Sequence, residues 1–100
     1  MRELIFEWNP ERNKWLKEKR GISFEEIAFL LGSGYLWRVA DHWNQEKYPG
    51  QEVFFVAVKG CIYLVPYLIE DETIFLKTAI PSRKATREYR RERGGHHESI

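Results

Sequence analysis

Cysteine is nearly absent from this chain: Cys61 stands alone. That rules out a disulfide within the chain and any zinc site built on its own cysteines. Cys61 lies in an apolar run, which marks it as a packing residue rather than a nucleophile. No apolar stretch approaches the roughly twenty residues that a membrane-spanning helix needs. The start also lacks the layout of a signal peptide, since Arg2 and Glu3 precede a short strand-like run. The expectation is a cytoplasmic protein with no membrane partner. Excess charge is missing too, because 16 Lys/Arg against 15 Asp/Glu leave a net +1. Proteins that coat nucleic acid non-specifically rely on many phosphate contacts over a basic surface, so that class is excluded. There is no internal repeat, Gly/Ser linker or low-complexity segment.

What is present is a folded composition, 43% hydrophobic and 15% aromatic, in a chain of one-domain length. The domain is expected over residues 1–93, with Gly94-Gly95-His96-His97-Glu98-Ser99-Ile100 as a flexible tail. The charge, nearly balanced overall, is unevenly placed. From Ser82 to Arg93, six basic residues (83, 84, 87, 90, 91 and 93) face only Glu88 and Glu92, a local +4 that leaves −3 for the rest. Pro81 reads as a strand stop and Ser82 as the N-cap of a helix opening at Arg83. Arg83, Arg87 and Arg90 then share one helical face, with Ala85 and Tyr89 on another. Backbone donors and the dipole at a helix start favour an anion there, and phosphate is the natural one.

In chain order, residues up to Trp8 alternate as a strand, and Asn9-Pro10 opens a helix that Gly21 closes. Ser23-Phe24-Glu25-Glu26 is a capping box opening a second helix, flanked by Ile22 and Ile27 as a hydrophobic staple; Gly32-Ser33-Gly34 stops it. Tyr35 to Gln51 reads mainly as a long loop, with a short strand or helical turn at Tyr35–Val39. Its Trp37 and Trp43 suit either base stacking or a lid over the core. From Val53 the pattern is β: Val53–Val58, a turn at Lys59-Gly60, Cys61–Leu68, an acidic turn at Glu70–Glu72, and Thr73–Ile80. The expected fold class is α+β: an N-terminal strand, two helices, an antiparallel three-stranded meander and a C-terminal basic helix.

Three motifs in this order, Phe6-Glu7-Trp8-Asn9-Pro10, Gly21-Ile22-Ser23-Phe24-Glu25-Glu26 and Ser82-Arg83-Lys84-Ala85-Thr86, resemble the BrnT family of toxins from bacterial type II toxin–antitoxin systems. The similarity covers about residues 4 to 92. Where many members carry Lys-His-Gly this chain has Lys19-Arg20-Gly21, and Val53 stands nearest to a position commonly held by Arg. The resemblance implies a RelE-like ribonuclease fold, RNA cleavage that inhibits translation, and a small DNA-binding antitoxin. DNA would then be met only through that antitoxin.

Metal-free RNA cleavage needs a proton acceptor for the 2′-OH, cations for the phosphorane and a proton donor for the leaving oxygen. Arginine stays protonated, so Arg83 and Arg87 are assigned to phosphate binding and charge stabilisation, joined by Lys14 and Arg20 if the first helix faces the last. Lys84, Thr86, Arg90 and Trp43 complete the expected RNA-binding set. For proton transfer the candidates are His42, Glu7, Tyr89 and a lysine, with His42 placed first. No cofactor or metal is expected, since His96-His97 and Glu98 lack ligand spacing. The alternative function is a non-catalytic co-repressor module whose basic helix binds the antitoxin.

Overall fold

The computed structural model describes residues 5–98, with side chains through Arg93. Leu4, expected in the first strand, and the side chains of His96, His97 and Glu98 lie outside the described set, as do Ser99 and Ile100. The elements are β1 (Ile5–Trp8), α1 (Pro10–Arg20), α2 (Phe24–Gly32), β2 (Leu36–Asp41), β3 (Glu52–Val58), β4 (Cys61–Glu70), β5 (Thr73–Leu76), β6 (Ile80–Ser82) and α3 (Arg83–Glu98). The fold is mixed α+β, with three helices on one six-stranded sheet among the described residues. None of the described helices is long and apolar enough to cross a membrane.

Local chemistry places the helices. Asn9 accepts the Glu11 and Arg12 N–H groups at 2.8 and 3.0 Å, Pro10 occupies the first turn, and Gly21 closes α1 at φ 67°, a conformation that L side chains avoid. Ser23 Oγ accepts the Glu26 N–H at 3.0 Å to start α2. Between the two helices lies Asn13, 5% exposed. Its Oδ1 accepts the Phe24 N–H and its Nδ2 donates to Glu25 Oε1, each at 2.8 Å. One buried amide therefore sets how α2 leaves α1.

The sheet order is β1-β5-β4-β3-β2, with β6 beside β4. Four consecutive strands, β2 to β5, form the antiparallel meander, one more than expected. The extra strand, β2, falls where a short strand or a helical turn is expected at Tyr35–Val39; its register shifts between Leu36 and Arg38, and the bulge blurs the alternation that marks a strand. At the other side β1 runs parallel to β5, so the sheet is mixed rather than antiparallel. Two helices and three strands separate β1 from β5, long enough a connection for a parallel partner.

The run expected as a single strand from Thr73 to Ile80 is two strands on the same edge of β4. β5 pairs with Tyr67–Glu70 and β6 with Ile62–Leu64. Between them Lys77 N–H bonds the Pro66 carbonyl at 2.8 Å. Pro66 has no N–H to offer on that side, and the ladder lapses there. Pro81 sits inside β6 instead of ending the strand before it, tolerated because β6 is an edge strand.

Alternating residues bury two separate layers. Phe54, Val56, Val65, Ile74 and Leu76 face Leu16, Phe24 and Ile27 of α1 and α2. Ala57 and Ile62, with Phe55 and Leu64, face Ala85 and Tyr89 of α3. The basic helix thus covers the opposite face of the sheet from the two N-terminal helices. Its backbone continues past Arg93 through Gly94 to Glu98, residues expected as part of the tail.

Candidate functional site

α3 is fastened at its first turn. Ser82 Oγ accepts the Ala85 N–H at 3.1 Å, as its N-cap position predicts. The Thr86 hydroxyl donates to the Ser82 carbonyl at 2.6 Å and accepts the Ile62 N–H at 2.8 Å, tying helix to sheet. Further along, Tyr89 meets Trp37 edge to face at 5.3 Å. Arg38 lies 3.9 Å from the Trp37 ring and pairs with Glu92 at 2.6 Å. The bulge of β2 brings Trp37 and Arg38 under α3, so β2 serves as the far anchor of the basic helix.

These attachments leave a groove of about 330 Å³ lined by Cys61, Pro81, Ser82, Arg83, Arg87 and Arg90, together with Thr86. Arg83, Lys84, Arg87 and Arg90 are exposed. Arg90 Nε donates to the Gly60 carbonyl at 3.2 Å, which fixes that guanidinium over the β3–β4 turn. Arg83, Lys84 and Arg87 have no ion pair among the described residues. Among the described residues the lining holds three guanidinium groups and no carboxylate, at the positive end of a helix dipole: a place for a phosphate oxyanion.

Thr86, expected in the RNA-binding set, lines the groove and also anchors the fold, since its hydroxyl both donates and accepts within the protein. Tyr89 is likewise committed, to Trp37 and to Arg93, whose guanidinium carbon lies 5.2 Å from its ring. Lys14 is exposed on α1, across the sheet from α3, so it does not join the arginine field. Arg20 donates to the Ala79 carbonyl and lies 4.8 Å from the Trp15 ring, bracing α1 against the β5–β6 connection. Glu7 is on β1, beyond β5 and away from α3.

His42 also belongs elsewhere. Its N–H bonds the Gln51 carbonyl at the start of β3, whereas Ile62 and Ser82 pair near the end of β3, a separation of about 20 Å along the strands. The ring is 5% exposed. It stacks on Trp43 at 4.0 Å and tilts against Tyr48 at 4.6 Å. Nδ1 accepts the Asn44 N–H at 3.0 Å, so the neutral ring carries its proton on Nε2. The Nδ1 lone pair is thus used inside the loop, and the neutral ring offers a donor.

His42 lines a second concavity, about 610 Å³, formed by the His42–Gln51 loop and the β5–β6 connection. The loop is braced from within. Gln45 Nε2 donates to the His42 and Gln51 carbonyls at 2.9 and 3.1 Å, and Asn44 Oδ1 accepts the Lys47 N–H at 3.0 Å. Arg12, Lys47 and Lys77 line it, none of them in the expected site set. Lys47 and Trp43 share a loop, but Arg12 and Lys77 join them only through the sheet topology. β6 contributes to both concavities, Ile80 to this one and Pro81-Ser82 to the arginine groove.

Compared with known proteins, the chain matches no family model, and no curated protein or solved structure is significantly similar to it.

Proposed function

We propose that this chain is a metal-independent endoribonuclease of the BrnT type, with a RelE-like fold. It would act in the cytoplasm as the toxin of a type II toxin–antitoxin pair. The supporting observation is the groove at the start of α3, which Arg83, Arg87 and Arg90 line with no carboxylate among the described residues. The helix carrying them is pinned to β4 through Thr86, and the Arg90 guanidinium is held on the Gly60 carbonyl, so part of the charge is placed before a substrate arrives. Preorganised charge of this kind is worth most where charge develops in a transition state.

In the reaction, O2′ of the RNA attacks the adjacent phosphorus and the P–O5′ bond breaks. The products are a 2′,3′-cyclic phosphate and a 5′-hydroxyl. Arg83 and Arg87 stabilise the extra negative charge of the phosphorane, while solvent takes the O2′ proton and supplies one to O5′. A DNA-binding antitoxin covers the same arginine face with acidic groups, which neutralises the toxin by occupying its phosphate site.

The test is purified protein and single-stranded RNA in excess EDTA, with product ends analysed. Cleavage with cyclic phosphate ends is expected, reduced about 10²-fold in Arg83→Ala, by analogy with loss of one preorganised donor. Arg93→Ala, whose guanidinium rests on Tyr89, retains activity. Cleavage that needs Mg²⁺ and leaves 5′-phosphates, or full activity in Arg83→Ala, refutes the proposal.

A further inference from the structure

We infer that the concavity under the His42–Gln51 loop binds a nucleoside monophosphate unit, its base stacked on Trp43 and its phosphate held by Arg12, Lys47 and Lys77. This goes beyond the cleavage proposal, because it concerns a different set of residues and does not need the RNA to be cut.

The volume of about 610 Å³ lies within the ordinary range for small-ligand sites. Its three cations are positioned by aromatic rings: Arg12 lies 4.9 Å from the Trp15 centroid, Lys47 5.4 Å from Tyr48 and Lys77 5.9 Å from Phe75. Ring faces consume no hydrogen-bond donors, so the N–H groups of all three remain available. None of the three has a carboxylate partner among the described residues. A fourth donor is His42 Nε2, which has no partner among the described residues although the side chain is 5% exposed; the nitrogen is not sealed from solvent. Three cations and an imidazole lining one concavity, with no carboxylate in its lining among the described residues, call for a ligand with at least one full negative charge.

Trp43 supplies the other half of the specificity. One face of its indole rests on His42, 28° from parallel, yet the residue is 61% exposed. A large apolar ring held flat on one side and open on the other is a stacking platform, and a nucleobase is the planar group that arrives with a phosphate attached. The loop hydrogen bonds from Asn44 and Gln45 hold that platform in place without a ligand.

Two sources share this chemistry, a free nucleotide and a unit of single-stranded RNA. The first measurement is an amide and indole NMR titration of the full chain with AMP. AMP is expected to shift the Trp43 indole N–H and the Asn44 N–H that bonds His42 Nδ1. Trp43→Ala and Lys77→Glu, both surface changes, weaken binding about tenfold or more each. The second is fluorescence anisotropy with a labelled hexaribonucleotide. If RNA is the source, Lys77→Glu also lowers its affinity and flattens the salt dependence by about 0.7 per lost phosphate contact. If AMP binds and the hexamer is indifferent to Lys77→Glu, the ligand is the free nucleotide. The inference is overturned if AMP leaves the loop resonances unmoved, or if its affinity is the same in both variants. Cleavage that fails in the assay above leaves these outcomes unaffected.

Discussion

Thr86→Val should destabilise the protein far more than a surface helix substitution does. The two side chains have nearly the same shape, so packing is preserved and the change isolates the hydroxyl. In the wild type that hydroxyl donates to the Ser82 carbonyl at 2.6 Å and accepts the Ile62 N–H at 2.8 Å. Valine leaves the Ile62 N–H without a partner beside a residue that is 0% exposed. A buried orphan donor costs about 1–3 kcal/mol and the lost donation about 1 kcal/mol more, or roughly 2–4 kcal/mol together. For a domain of this size that is a fall in Tm on the order of 10–30 °C. Urea unfolding followed by circular dichroism measures it, and Thr86→Ser should recover most of the loss. Amide exchange at Ile62 should also accelerate beyond the global change, because α3 loses its hold at that point first. A Thr86→Val protein within about 0.5 kcal/mol of wild type would show that the helix is held by its apolar contacts alone.

Asn13→Ala should cost about 2–4 kcal/mol, since it strips the Phe24 N–H of its buried acceptor and Glu25 of a donor; urea unfolding again reads it. The Asn13 hydrogen bond is the main reason the Glu25 carboxyl titrates below its ordinary value, followed by the Glu25 backbone N–H, with Lys17 adding a smaller push against slight desolvation. The folded state therefore binds that proton less readily than the unfolded chain. Its small contribution is present above pH 4.5 and lost as pH falls below it, and NMR titration of Asn13→Ala should show the Glu25 pKa raised toward normal. Gly21→Ala should cost about 1 kcal/mol by thermal melt from backbone conformation alone, because φ is +67° and a Cβ there meets nothing within 4 Å. Arg20→Gln should loosen the β5–β6 connection, seen as faster amide exchange at Lys77, without altering the Arg83 groove.

The helix starts were legible because caps are local: Asn9, Ser23 and Ser82 each bond N–H groups two or three residues ahead. The β4 and β5 runs were legible as apolar stretches, but where β5 stops is decided by Pro66 across the ladder, a residue distant in sequence. β2 was obscured by its own bulge, whose purpose, carrying Trp37 and Arg38 to α3, is visible only once α3 is in place. The arginine face of α3 followed from helical spacing. The opposition of α1 and α3 across the sheet did not, since it depends on which parity of each strand meets which helix, and with it went Lys14 and Arg20 as partners of Arg83. His42 and Trp43 were singled out by residue type, while Arg12 and Lys77 reach them from elements that the chain order keeps far apart.

The parallel pairing of β1 with β5 also bears on how the molecule is made. Ile5 opposes Thr73, so among the described strands β1 is synthesised well before β5, its neighbour in the sheet. At ordinary elongation rates β1 waits on the order of several seconds for β5 to be synthesised. Closing so long a loop is slow, whereas the β3–β4 and β4–β5 hairpins close across two-residue turns. Assembly therefore departs from the order of synthesis: the meander forms first, and β1 docks once β5 is in place.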